Sequence, residues 1–144
     1  EMYEELKEQI KEHEGFVPRT YKDSLGKRTI GFGHLCVEPE QWDDDKEYTR
    51  EELERVFDKD FDEALKNAES LIGERSINFI AKQVIIEMVF QLGIGGVGKF
   101  KKMWSALDSE DYGEASFQMM DSLWAKQTPN RAEKLSQKMR SAKT

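Results

Sequence analysis

The chain has 144 residues and a formal net charge of −7, with 38% hydrophobic, 10% aromatic and 35% charged residues. That length and apolar content suffice for one domain-sized core, divisible into two lobes, without covalent staples. One cysteine and two histidines exclude a disulfide framework and a four-ligand structural zinc site of soft donors, and no metal or organic cofactor is implied.

The charge is uneven, with 13 basic and 23 acidic residues up to Ile94 against 9 and 6 after it. A balance of this sign argues against nucleic acid as a partner, and it suggests weak long-range steering that tolerates moderate salt.

At the N-terminus, Tyr3, Leu6, Ile10 and His13 recur at helical spacing, and Gly15 follows Glu14 as a left-handed cap. The first helix is therefore expected to end on Glu14. A carboxylate there faces the negative end of the helix dipole, which costs roughly 0.3–1 kcal/mol when exposed and favours the protonated form. Asp23-Ser24-Leu25-Gly26 lies between the strand-like stretches Arg19-Thr20-Tyr21 and Arg28-Thr29-Ile30, a hairpin pattern in which Gly26 supplies a positive φ. Asp23 is expected at the loop tip, exposed and ionised. One protonated and one ionised carboxylate beside a cleft is the pair that glycosidic hydrolysis uses. The same residues also have ordinary roles: an aspartate opening such a turn is usually a turn former, and Thr29 suits any strand.

Further along, Thr49-Arg50-Glu51-Glu52 is a capping box opening a long helix from about residue 49 to 72, with Leu53, Val56, Phe57, Phe61 and Leu65 on one face. Helices near 76–92, 98–107, 110–125 and 129–141 complete a bundle. The run from Val84 to Phe90 is expected in the most buried helix, and Met119, Met120, Leu123 and Trp124 read as core. Thr128-Pro129 reads as a cap with proline at the first helical position, placing Arg131 in the first turn of the last helix. The fold class is α+β: a small lobe of about residues 13–60 carrying a hairpin sheet, and a helical lobe of 1–12 plus 61–144, joined by the long helix within one domain. No basic head precedes an apolar stretch at the N-terminus, and no window approaches 18 apolar residues, so neither an export signal nor membrane insertion is expected.

Three other motifs carry less. Gly93-Ile94-Gly95-Gly96-Val97-Gly98-Lys99 fits a phosphate-binding loop until Phe100, where a Ser or Thr should hold magnesium, and a helix precedes it where a strand is required. Acidic residues from Asp43 to Glu54 have calcium-loop spacing, but Tyr48 occupies the position that needs glycine. Cys36 lies two residues after His34, yet reads as a small buried hydrophobe rather than a nucleophile.

The segment Glu14-Gly15, Tyr21-Lys22-Asp23 and Gly26-Lys27-Arg28-Thr29-Ile30-Gly31-Phe32-Gly33-His34-Leu35 resembles the signature of the T-even bacteriophage lysozymes. Two further blocks match in order: Met88-Val89-Phe90-Gln91-Leu92-Gly93 and Trp124-Ala125-Lys126-Gln127-Thr128-Pro129-Asn130-Arg131-Ala132. The resemblance implies a lysozyme-like fold and a muramidase that cleaves the β-1,4 link from N-acetylmuramic acid to N-acetylglucosamine in bacterial peptidoglycan. It implies Glu14 as general acid, Asp23 as second carboxylate, Thr29 as the hydroxyl placing water, and Leu35, Phe90 and Gln91 as sugar contacts. It further implies Arg131 reaching Glu14, an ion pair of His34 with Asp60, and inversion at the anomeric carbon. It also implies a monomer, accumulating in the cytoplasm of an infected bacterium and acting at the wall. Between His34 and Thr49 the chain is shorter than in the T-even enzymes, which alters the expected outer wall of the cleft. A lysozyme-like domain that binds glycan or a partner without cleaving it is the alternative.

Overall fold

In a computed structural model, which describes residues 2–143, helix α1 spans Glu4–Glu14. Its apolar spacing turns Leu6 and Ile10 inward, and Gly15, at φ 75°, stops it by donating its N–H to the Lys11 carbonyl. The chain then enters a three-stranded antiparallel sheet, β1 (Val17–Lys22), β2 (Arg28–Gly31) and β3 (His34–Leu35), in the order β1-β2-β3. Tyr21 pairs with Thr29, and Thr29 with Leu35, so these three side chains form one cross-strand row. Between Val17 and Tyr21 the ladder is irregular, where Pro18 lacks an N–H to contribute.

Residues 1–63 and 64–144 form two compact units. The first therefore takes in all of α1, whereas the sequence reading grouped residues 1–12 with the later helices. Its core is Leu6, Ile10, Ile30, Phe32, Leu53, Phe57 and Phe61, all buried. The Phe57 ring lies edge-on to Phe32, with centroids 5.7 Å apart.

Helix α2 (Arg50–Ile72) begins with the expected box: Glu52 N–H donates to Thr49 Oγ1 at 3.1 Å, and the Thr49 N–H donates back to Glu52 Oε1 at 3.3 Å. Its buried residues are Leu53, Phe57, Phe61, Ala64, Ala68 and Ile72, while Val56 and Leu65 are half-buried.

The second unit adds α3 (Phe79–Gly98), α4 (Lys101–Asp108), α5 (Tyr112–Met120), α6 (Leu123–Gln127) and α7 (Pro129–Arg140). Asn78 caps α3, its side chain accepting from the Ile80 N–H, so the helix opens a few residues later than the expected residue 76. The helix runs past Leu92 to Gly98 but breaks at Gly93 (φ 79°, ψ 166°). Val84, Ile85, Ile86 and Met88 are fully buried, as the apolar run predicts. Helix α3 is in fact long and apolar enough to meet the composition of a membrane span, which corrects the expectation that no window comes near one. Its buried centre and its break at Gly93 give it the form of a core helix.

The single helix expected over 110–125 is two. Ser122 interrupts it, accepting from the Ala125 N–H as the cap of α6. This break shifts the helical phase and leaves Leu123 69% exposed, against the expectation that it joins the core. Met119 and Trp124 are buried as expected, and Met120 is half-buried.

Candidate active site

The first unit brings together Glu14, Tyr21, Asp23, Thr29, Gly33, His34 and Leu35. Glu14 is the last residue of α1, half-buried, with its carboxyl against the backbone of Gly33. Asp23 occupies the hairpin turn, where the Asp23 N–H donates to the Lys27 carbonyl and the Gly26 N–H to the Asp23 carbonyl. Its Oδ1 accepts from the N–H groups of Leu25, at 2.9 Å, and Lys27, at 2.8 Å. The side chain is half-buried rather than exposed at a loop tip, because these donors fold it back over its own turn. One oxygen is thereby fixed in direction.

Thr29 is 3% exposed, and its hydroxyl donates to the Lys27 carbonyl at 2.9 Å. That bond uses the only hydroxyl hydrogen and leaves acceptor capacity on Oγ1. Tyr21 carries no assigned role in the sequence reading, yet burial first, then the negative fields of Glu14 and Asp23, raise its phenol pKa. Tyr21 thus stays a neutral donor and marks both carboxylates as its neighbours. The signal for it was the Tyr-x-Asp spacing together with its cross-strand register with Thr29.

His34 bridges two carboxylates. Its Nδ1 lies 2.7 Å from Asp60 Oδ2, and its Nε2 lies 2.9 Å from Glu40 Oε1, which also accepts from Trp42 Nε1 at 2.9 Å. The resemblance implies the pair with Asp60 alone. Glu40 and Trp42 sit in a segment without regular structure, so no periodicity points to them.

The bond to Asp60, partly offset by burial and reinforced by Glu40, raises the His34 pKa from 6.5 to about 9. A group whose folded pKa lies above its unfolded value stabilises the fold fully below the unfolded value, near 6.5, and loses that contribution as pH rises through about 9. Stability should therefore fall between about pH 6.5 and 9 by about 1–3 kcal/mol, after allowance for the partly exposed carboxylates. Urea unfolding of the protein and of His34→Asn across that window checks this, the variant lacking the slope.

Nearby, burial pushes the Cys36 thiol pKa upward, which disfavours the thiolate a nucleophile requires. Among the described residues, no group of three or more His, Cys, Asp or Glu side chains is arranged to hold a metal ion.

The second unit carries the remaining residues. Phe90 and Gln91 are half-buried near the end of the first stretch of α3, and Gln91 Oε1 accepts from Trp124 Nε1 at 2.9 Å. Trp124 in turn meets the Phe100 ring edge-on. Arg131 stands in the first turn of α7 with a side chain 11% exposed, and its Nε donates to Glu87 Oε2 at 2.9 Å. Glu87 is completely buried. The resemblance implies a pairing of Arg131 with Glu14, and Glu87 lies within the apolar run from Val84 to Phe90, so the Glu87 pairing is an addition.

The Phage lysozyme family matches residues 11–142. Among individual proteins, the chain is 31% identical to Probable T4-type lysozyme 1 of Dictyostelium discoideum, covering 93% of this chain and 92% of that one. Probable T4-type lysozyme 2 of the same organism is 28% identical with the same coverage. The pre-baseplate central spike protein Gp5 of Enterobacteria phage T4 is 28% identical over 90% of this chain and 26% of that longer protein. With a helix-ending glutamate, a turn aspartate and a buried strand threonine in order, and the family matched along nearly its whole length, the chain belongs to the phage lysozyme family.

Proposed function

We propose that the protein is a muramidase, hydrolysing the β-1,4 bond between N-acetylmuramic acid and N-acetylglucosamine in peptidoglycan. The observation that carries this reading is the placing of two carboxylates at one small sheet, Glu14 against Gly33 just before β3 and Asp23 held in the β1–β2 turn next to buried Thr29. Family membership supports it.

Glu14 protonates the leaving oxygen. A water donating one hydrogen to Thr29 Oγ1 and the other toward the Asp23 oxygen not held by the turn points a lone pair outward, at the anomeric carbon. Asp23 takes the proton as the bond forms and balances the charge that develops on the sugar ring. This is the inverting arrangement, which requires about 6.5–9.5 Å between the carboxyl groups to admit the water. In this reading Leu35 contacts the sugars, and by the family resemblance Phe90 and Gln91 serve substrate binding and Arg131 structural support on the second unit. His34 and Asp60 hold the sheet to α2. The protein acts on the wall as a monomer, reaching it from the cytoplasm of an infected bacterium.

The test is chemical identification of the new ends. Purified peptidoglycan is digested, reduced with borohydride and analysed for amino sugars. Conversion of muramic acid to its alditol supports a muramidase. Conversion of glucosamine instead would mean that the other glycosidic bond is cut, and unchanged wall that still retains the protein would leave a glycan-binding domain.

A further inference from the structure

We propose that Gly33 positions the acid through the side chain it lacks, the Glu14 carboxyl occupying the place where a Cβ would stand. The proposal rests on the reading of Glu14 as general acid. Gly33, at φ 77°, ends the two-residue Phe32-Gly33 link from β2 to β3. A Cβ built there falls 2.4 Å from Glu14 Oε1, 2.9 Å from Cδ and 3.4 Å from Cγ. Three consecutive atoms of one side chain thus lie across the same spot, so the carboxyl rests on the bare Cα and does not merely brush it.

A left-handed backbone alone does not demand this. Gly15, Gly26 and Gly93 have φ of 75°, 80° and 79°, and a Cβ on any of them meets nothing within 4 Å. Among the ten glycines, Gly33 is the one whose Cβ would fall under 3.0 Å from another atom.

The backbone of Gly33 is poorly placed to yield. Phe32 before it is 3% exposed and packed against the rings of Phe16 and Phe57. After it, His34 pairs with Ile30 across the sheet and is tied to Asp60 and Glu40. Glu14 presents the free end of a flexible side chain, so a methyl group at residue 33 moves the acid and not the sheet. A displacement of about 1 Å at a reacting group can lower turnover about a hundredfold.

The experiment compares Gly33→Ala with Gly73→Ala, which places the same methyl on another left-handed glycine (φ 58°) at the end of α2, away from any side chain. The 13C resonance of the Glu14 carboxyl is assigned by its loss in Glu14→Gln and then titrated in each protein. Gly33→Ala should lower kcat about a hundredfold with a smaller change in KM, and should move both the Glu14 resonance and its midpoint. Gly73→Ala should leave all of these at parental values. A parental Glu14 resonance and kcat in Gly33→Ala would overturn the proposal.

Should Gly33→Ala fold poorly, its cost to stability is measured again with Glu14→Ala present. A smaller cost in that background supports the contact, and an equal cost overturns it. If the parent protein cleaves nothing while the Glu14 resonance still moves only in Gly33→Ala, the muramidase reading falls and the contact stands.

Discussion

Glu14→Gln is expected to lower turnover on peptidoglycan by about 10²–10⁴-fold, the range supplied by a positioned acid, while the protein stays folded. Glutamine keeps the shape of the side chain and its contact with Gly33 but has no proton to give. Because the proton is needed only as the glycosidic bond breaks, kcat and kcat/KM should fall together and wall binding should persist. Glutamine also cannot take on the negative charge that ionised Glu14 would place at the C-terminal end of α1, where the helix dipole disfavours it. Unfolding temperature should therefore hold steady or rise slightly, separating lost chemistry from lost structure. Initial rates of reducing-end release, set beside a thermal melt, decide the matter. A variant within threefold of the parent would remove Glu14 from the role of acid.

Arg131→Ala is expected to destabilise the protein by about 3–5 kcal/mol, because it strands the fully buried Glu87 without its cation. At roughly 3 °C per kcal/mol for a chain of this size, the melting temperature should drop by about 10 °C or more. Removing both charges should hurt less than removing one. Glu87→Met combined with Arg131→Met replaces a desolvated pair with apolar volume, and such exchanges are often neutral or stabilising. Denaturant midpoints of Glu87→Met, Arg131→Met and the double variant form a cycle whose coupling energy measures the pair. Equal and additive losses would show that Glu87 and Arg131 do not depend on each other.

The parts of this molecule that were legible in its sequence are those whose signals are local. The end of α1 was written in Glu14-Gly15, the hairpin in Asp23 to Gly26, and the start of α2 in Thr49 to Glu52, each a backbone requirement met by a neighbouring residue. Breaks inside apolar runs were harder to see. Gly93 and Ser122 interrupt helices whose hydrophobic residues continue on both sides, so periodicity alone joined what the backbone divides. Hardest were polar partners distant in the chain. Glu87 hides among valines and isoleucines because its charge is satisfied 44 residues away, and Glu40 meets His34 only after the segment following β3 has turned back. The candidate site came from family resemblance alone, whereas the contact of Glu14 with Gly33 required coordinates.

That returning segment, between β3 and α2, has no regular secondary structure, yet it is tied down at intervals. Arg28 holds the Trp42 carbonyl and Asp44, Thr20 also reaches Asp44, Arg19 meets Glu47, and the Tyr48 N–H donates to the Pro18 carbonyl. Between the Cys36 N–H on the Arg28 carbonyl and the Glu40 carboxylate on His34, Val37, Glu38 and Pro39 form an exposed span. Closing a longer loop adds only about 0.6 kcal/mol for each doubling of its length. Evolution can thus lengthen or trim the chain at this span without disturbing the anchors on either side. The neighbourhood of the site can acquire new lining there while the turn of Asp23 and the strand of Thr29 keep their register.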